Sequence, residues 1–326
     1  MKNWDRVGEL KLISLKNKRG TELKILNFGA SIFSLTIDGV NVVVGPARPE
    51  DYISETYHKH GKFFGATVGR HAGRISPNSF EIEDQKFSLF GQDGVHLHGG
   101  QYGFSYKFWK VIEVNEKVDP FVELEYISPD GEEGYPGELK VRARYTLTEE
   151  DEVKLEYSAQ SDQKTVVNLT NHTYFNLNGT GSVNEHHLQI PAAEFLETDP
   201  RNVPTGKLLK SAGTLYDFQK LRKIGGVPLD TVFSLKGSSQ VIELHGDQSG
   251  ISMQVKTNQP AVVVYVPQEL PQAWDYSTSI GLERAAICLE TQKFPDAPHQ
   301  KDFPSVLLQP REKYLNITSW KFKNGL

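Results

Sequence analysis

The sequence predicts an all-β protein: one large antiparallel β-sandwich with extended loops, residues 1–326 forming a single domain. Three observations lead there. Leu139, Val141, Ala143, Tyr145 and Leu147 interleave strictly with Lys140, Arg142, Arg144 and Thr146, the period of a strand with one wet face. Continuous apolar runs at Ala261–Val266 and Ala285–Leu289 suit strands buried on both faces. No stretch of 12 or more residues carries an apolar stripe at helical period.

The bulk properties narrow the class. A chain of 326 residues can bury a large core, and all-β chains of this size often fold as one unit. A net charge of -5 argues against a nucleic-acid surface. Cys288 is the sole cysteine, so no intramolecular disulfide can form, which fits a reducing compartment. The start, Met1-Lys-Asn-Trp-Asp-Arg-Val7, lacks the apolar core of a signal peptide. The longest apolar run, Ala261–Val266, is far short of the roughly 20 residues that span a bilayer. A cytoplasmic protein with no membrane or nucleic-acid partner is expected.

In chain order, His58-Lys-His60 and His96-Leu-His98 are alternate-residue histidine pairs. On a strand each pair would share a face and could ligate a metal, but neither has an accompanying Asp or Glu ligand pattern. Phe63–Ile75 reads as a glycine-interrupted strand with Arg70 and Arg74 four apart. Glycines there permit close backbone approach by a ligand, or a sharp bend. Val122, Leu124 and Tyr126, then residues 139–147, then Val153, Leu155 and Tyr157 form three alternating segments in succession. Turn-rich Ser128–Gly137 and acidic Glu149–Asp151 join them, so they read as an antiparallel meander.

The polar residues concentrate in Asn168-Leu-Thr-Asn-His-Thr-Tyr-Phe-Asn-Leu-Asn178. On a regular strand Asn168, Thr170 and His172 would share one face, Val167, Leu169 and Asn171 the other. An interior polar face needs water or a ligand to satisfy it. A hydrogen-bonded core histidine with asparagine turns is the competing explanation. Further on, Asp230 precedes an apolar strand and Glu290 ends a buried run. Burial raises a carboxyl's pKa unless cations or donors hold it charged, which is how a general acid or base is tuned.

Five of these pieces, in order, resemble the aldose 1-epimerases, or galactose mutarotases. They are Gly69-Arg-His-Ala-Gly-Arg-Ile75, Leu97-His-Gly-Gly100, Ser128–Gly137, Asn168–Leu177, and Cys288-Leu-Glu-Thr-Gln292 with Pro295-Asp296. The match is collinear from about Phe63 to Lys321. The resemblance implies a β-supersandwich, no cofactor, no metal, and interconversion of hexose anomers. It assigns the general acid to His172 and the general base to Glu290, and sugar binding to Arg74, His98 and Asp230, with Gly73 and Tyr174 also at the sugar. It implies a monosaccharide substrate; a monomer or weak homodimer is expected.

Two positions depart from the pattern. Gly73 replaces a frequent asparagine, and Val263 aligns with a glutamine of some members. Both remove a possible side-chain hydrogen bond, so relaxed discrimination among aldoses is expected. An ionised Glu290 near His172 is expected to raise the imidazole's pKa. Three alternatives stay open: a hexose 6-phosphate epimerase using Arg70 and Arg74 on the phosphate, a non-catalytic carbohydrate-binding sandwich, and a histidine-metal enzyme.

Overall fold

The computed structural model describes residues 9–237, 240–278 and 281–324. The segment 1–8, read above for a leader, lies outside the described residues. The strand expected at Leu139–Leu147 forms with those bounds, its apolar positions buried and its polar ones partly or fully exposed. Phe121–Ser128 and Glu152–Ser161 flank it in antiparallel register, so the meander is present as expected. It belongs to a nine-stranded sheet that continues through Tyr314–Asn324, Ile251–Thr257 and Ile242–His245.

Facing it is a six-stranded sheet ordered Tyr174–Phe175, Ile287–Gln292, Ala261–Tyr265, Asp230–Ser234, Glu194–Thr198 and Pro204–Lys210. Phe233, Val262, Val264, Ile287 and Leu289 from this sheet share one core cluster with Tyr145, Leu155, Tyr157, Val255 and Trp320 from the other. Two apolar faces packed in this way remove a large area from water, at about 25 cal/mol per Å². A four-stranded N-terminal sheet, Leu12–Lys16 to Val40–Asn41, adds Leu15, Leu23, Ile25 and Leu35 to the same core. The antiparallel sandwich is therefore as expected. Among the described residues the only α-helix is Glu55–His60, and no helix is long and apolar enough to cross a membrane.

Residues 63–75 do not form one strand. Thr67–Val68 and Arg74–Ile75 form two short strands with different partners, and His71 between them makes an isolated bridge to Asn168. The glycines admit the protein's own chain. A Cβ on Gly73, at φ +79°, would lie 2.8 Å from the Pro295 ring. Arg70 and Arg74 consequently go separate ways. Arg70 is 2% exposed. Its Nε donates to Ser128 Oγ at 3.0 Å, Nη2 to Ser128 O at 3.1 Å and Pro129 O at 2.9 Å, and Nη1 to Pro136 O at 2.9 Å. It is the staple that holds both ends of the Ser128–Gly137 loop, not a surface cation.

A lysine keeps that charge but not the planar fork. Arg70→Lys leaves buried carbonyls unpaired, at ~1–3 kcal/mol each. Urea unfolding is expected to show a loss of about 2–4 kcal/mol. A change under about 0.5 kcal/mol, the range of ordinary surface substitutions, would show that the fork is dispensable.

Candidate active site

The site is built on the segment Asn168–His172, held from two sides. Its backbone bonds to residues 65–72: His172 N donates to Ala66 O at 2.9 Å, Gly65 N to His172 O at 3.0 Å, Asn168 N to Arg70 O at 2.9 Å and Ala72 N to Asn168 O at 2.8 Å. Its polar face meets the strand that carries Glu290. Asn168 exchanges hydrogen bonds with Lys293, Nδ2 to O at 3.1 Å and N to Oδ1 at 2.9 Å. Thr170 Oγ1 donates to Thr291 O at 3.0 Å. His172, next on that face, comes opposite Glu290 with Nε2 3.5 Å from Oε1. Neither water nor ligand is needed at Asn168 or Thr170; the neighbouring strand supplies their partners. His172 Nδ1 and Glu290 Oε2 are buried and unpartnered.

Glu290 reaches the pocket by strand alternation. Ile287 and Leu289 point into the core, so Glu290 points the other way. Antiparallel register sets Val263 opposite Glu290 and Val232 opposite Val263. It also sets Tyr265 between Cys288 and Asp230. Glu290, Val263, Val232, Tyr265 and Asp230 thus line one pocket of about 210 Å³. Strands lie about 4.8 Å apart, so Asp230 stands roughly 10 Å across the sheet from the Glu290 strand.

The opposite wall carries Gly73, Arg74 and His98. His98 has φ 50°, a region few non-glycine residues occupy. Two bonds to Gly73 clamp it there: His98 N donates to Gly73 O at 3.0 Å, and Gly73 N donates to His98 Nδ1 at 3.2 Å. With Nδ1 accepting, the ring proton of neutral His98 lies on Nε2, a donor for a ligand. The next residue, Gly99, has φ +84° and passes so close to Gly69 O that a Cβ would stand 1.7 Å from it. Arg74 Nη2 is 3.6 Å from Asp230 Oδ2. Tyr174 stacks on His172 with centroids 5.1 Å apart, and its hydroxyl donates to Lys62 O at 2.8 Å. Its ring braces the imidazole while its hydroxyl is spent on the backbone.

The electrostatics reverse one expectation. Burial dominates at His172 and pushes it down to about 4. Burial, with Asp230 adding and Arg74 opposing, raises Glu290 well above the ordinary carboxylate range. Each shift disfavours a charged form. His98 is also held well below 6.5, by burial first and then by His172 and Arg74.

The two histidine pairs do not act as pairs. His96 is fixed between Phe90 O and Tyr135 Oη, each at 2.6 Å, while His98 turns into the pocket after the strand His96–Leu97 ends. His58 and His60 lie on the helix Glu55–His60, where a two-residue spacing splits faces. Among the described residues, the ligand-type atoms that do converge belong to His98, His172 and Glu290, within 4.8 Å of one another.

Residues 11–321 match the family model described as Aldose 1-epimerase. The chain belongs to the aldose 1-epimerase family. Galactose mutarotase from Bos taurus is 38% identical over 317 residues, 91% of this chain and 90% of the bovine protein. Aldose 1-epimerase from Escherichia coli K12 is 30% identical, over 96% of this chain and 95% of its own. The crystal structure of galactose 1-epimerase from Lactobacillus acidophilus superposes with a TM-score of 0.87 at 31% identity, covering 98% of this chain and 96% of that one.

In this member of the aldose 1-epimerase family, every site residue expected from sequence lines one pocket: His172, Glu290, Arg74, His98, Asp230, Gly73 and Tyr174. Sequence reasoning missed Tyr265 and Asn202, which also line it. Tyr265 was legible, two residues from Val263 on the same strand face. Asn202 carried no signal, because its place depends on where a hairpin tip folds.

The first expected outcome concerns protonation. Followed by NMR in the sugar-free protein, the His172 ring should titrate near about 4. A midpoint near the reference value of about 6.5 would mean that pairing with Glu290 outweighs burial.

Proposed function

We propose that this chain interconverts the α and β anomers of hexoses such as D-galactose or D-glucose, with His172 and Glu290 as the proton-transfer pair. The observation that carries the reading is the 3.5 Å approach of two buried titratable groups at the wall of a sugar-sized pocket. Membership of the aldose 1-epimerase family supports the same activity.

The chemistry follows from the atoms. One proton shared by the pair has two placements: imidazolium with carboxylate, or neutral imidazole with carboxylic acid. They differ by a proton shift, not in net charge. A bound pyranose donates its anomeric hydroxyl to Glu290 and accepts at its ring oxygen from His172, which favours the ionic placement. Glu290 then takes the proton from O1, the C1–O5 bond breaks, C1=O1 forms, and O5 takes the proton of His172. The pair is left neutral, the placement that burial favours. Rotation about C1–C2 turns the other aldehyde face to O5, and reversed transfers close the ring to the other anomer. Arg74, His98 Nε2 and Asp230 hold the hydroxyls meanwhile.

Two alternatives lose ground on particular residues. A 6-phosphate epimerase needs surplus cations, and Arg70 is committed to Ser128, Pro129 and Pro136. A module that only binds sugar gains nothing from a carboxyl and an imidazole whose burial opposes both charges.

Glu290→Gln keeps the shape and removes the base. Turnover of α-D-galactose, followed by polarimetry, is expected to fall ~10²–10⁴-fold. A loss of only about threefold, far inside that range, would remove Glu290 from the role.

The pH profile of kcat/KM should be bell-shaped, because the pair works only with one shared proton. Below about 4, His172 gains a second proton and no base remains. At high pH the proton held by the pair through Glu290 is lost and no acid remains. The acid limb should therefore lie near about 4, with the alkaline limb above the ordinary carboxylate range. An acid limb near about 6.5, the free histidine value, or a flat profile, would contradict the pair.

A further inference from the structure

We propose that Asn202 is a specificity-determining residue that reads the edge of the sugar opposite the anomeric carbon and sets the choice between C4 epimers, an inference that rests on the epimerase reading of this pocket. Gly73 and Val263 line the pocket and offer no side-chain amide to a ligand. Asn202 brings one from a different element.

Asn202 sits at the tip of the hairpin between Glu194–Thr198 and Pro204–Lys210, the last two strands at one edge of the six-stranded sheet. Asp199 fastens that tip. Its Oδ1 accepts from Arg201 N at 2.8 Å and Val203 N at 3.0 Å. Asp199 N donates to Val203 O at 2.8 Å, and Asn202 N to Asp199 O at 2.9 Å. A loop with this many internal bonds presents its side chain in a fixed direction, at little ordering cost on binding. Asn202 Nδ2 donates to Asp230 Oδ2 at 2.9 Å, the oxygen that Arg74 approaches at 3.6 Å. Both contacts fall on Oδ2, so Asp230 Oδ1 keeps its lone pairs for a ligand. The second N–H and the Oδ1 of Asn202 are likewise uncommitted, and Asn202 lines the pocket.

Placement then selects the hydroxyl. His172 and Glu290 must meet C1 and the ring oxygen. Asp230 lies two strands away, roughly 10 Å across the sheet. A pyranose ring with a hydrogen bond at either end fills that span, and the carbon across the ring from C1 is C4. An axial and an equatorial hydroxyl there present differently to a fixed donor–acceptor pair, and a site built to pair a hydroxyl rejects the misplaced one. Discrimination between galactose and glucose is therefore retained, against the relaxation expected from Gly73 and Val263.

A purely conformational explanation competes. Asn202 has φ 59°, and asparagine tolerates that region. Asn202→Gly separates the two, because glycine accepts the same backbone and lacks the amide. Wild type and Asn202→Gly would be compared by mutarotation kinetics on α-D-galactose, α-D-glucose and 4-deoxy-D-galactose, by calorimetric titration with each sugar, and by thermal melting. With melting unchanged, KM for the preferred sugar should rise roughly two- to tenfold, the worth of one neutral hydrogen bond. Turnover should hold within roughly twofold, the pattern of lost uniform binding. The galactose-to-glucose ratio should shift at least about threefold. On the 4-deoxy sugar the two proteins should coincide. An unchanged KM and ratio, or an equal loss on the 4-deoxy sugar, overturns the inference while the epimerase reading stands. Sugar binding that responds to Asn202→Gly in a protein with no mutarotation keeps the inference and overturns that reading. No calorimetric binding of any sugar overturns both.

Discussion

A carboxyl group in the middle of a strand that is buried on both faces is the constraint on which the rest of this molecule depends. Glu290 is 2% exposed, and an isolated charge there would be prohibitively costly. Burial instead holds that carboxyl well above the ordinary carboxylate range, toward its neutral form. His172 stands within 3.5 Å, and burial shifts both groups toward neutrality. Holding an imidazole at that distance requires the segment that carries it to be rigid. Asn168 and Thr170 provide this by bonding to Lys293 and Thr291, either side of the same strand's end. The polar face of Asn168–His172 is one device: two residues grip the strand, and the third is set against Glu290.

Legibility in the sequence followed solvent. Leu139–Leu147 announced itself because one face is wet, so polar and apolar residues alternate. Ala261–Tyr265 and Ile287–Gln292 could be read as buried strands, but nothing local states which partner each takes or in what register. The pocket is made of that register. Val263 faces Glu290, and Asp230 faces Tyr265, pairings between residues far apart in the chain. Glu290 and His172 were recognisable through motifs; that both are shifted toward neutrality was not, because burial of that degree arises from the whole sandwich.

Short-range spacing misled where glycine ended a strand. His96 and His98 share a face only if the strand continues, and the turn at Gly99 stops it. One histidine is left in the interior against Tyr135 and the other in the pocket. Arg70 and Arg74 diverge for a related reason, since the chain between them winds through contacts that leave no room for side chains at Gly73. Asn202 lay beyond reach altogether, a hairpin-tip residue whose role depends on the carboxylate it meets from another strand.

The division of labour along the pocket strands bears on how such a protein can change over generations. Residues 232, 263 and 265 line the pocket, while their immediate neighbours Phe233, Val262 and Val264 sit in the core. Point substitutions can therefore alter the sugar surface one position at a time and leave the sandwich intact. A single-residue insertion in any of these strands does the opposite, because it exchanges the two faces at a stroke. In Ile287–Gln292 it would present Leu289 to the sugar and drive Glu290 into the core. Lineages of this fold should be rich in substitutions at the pocket positions and nearly free of length changes within these three strands.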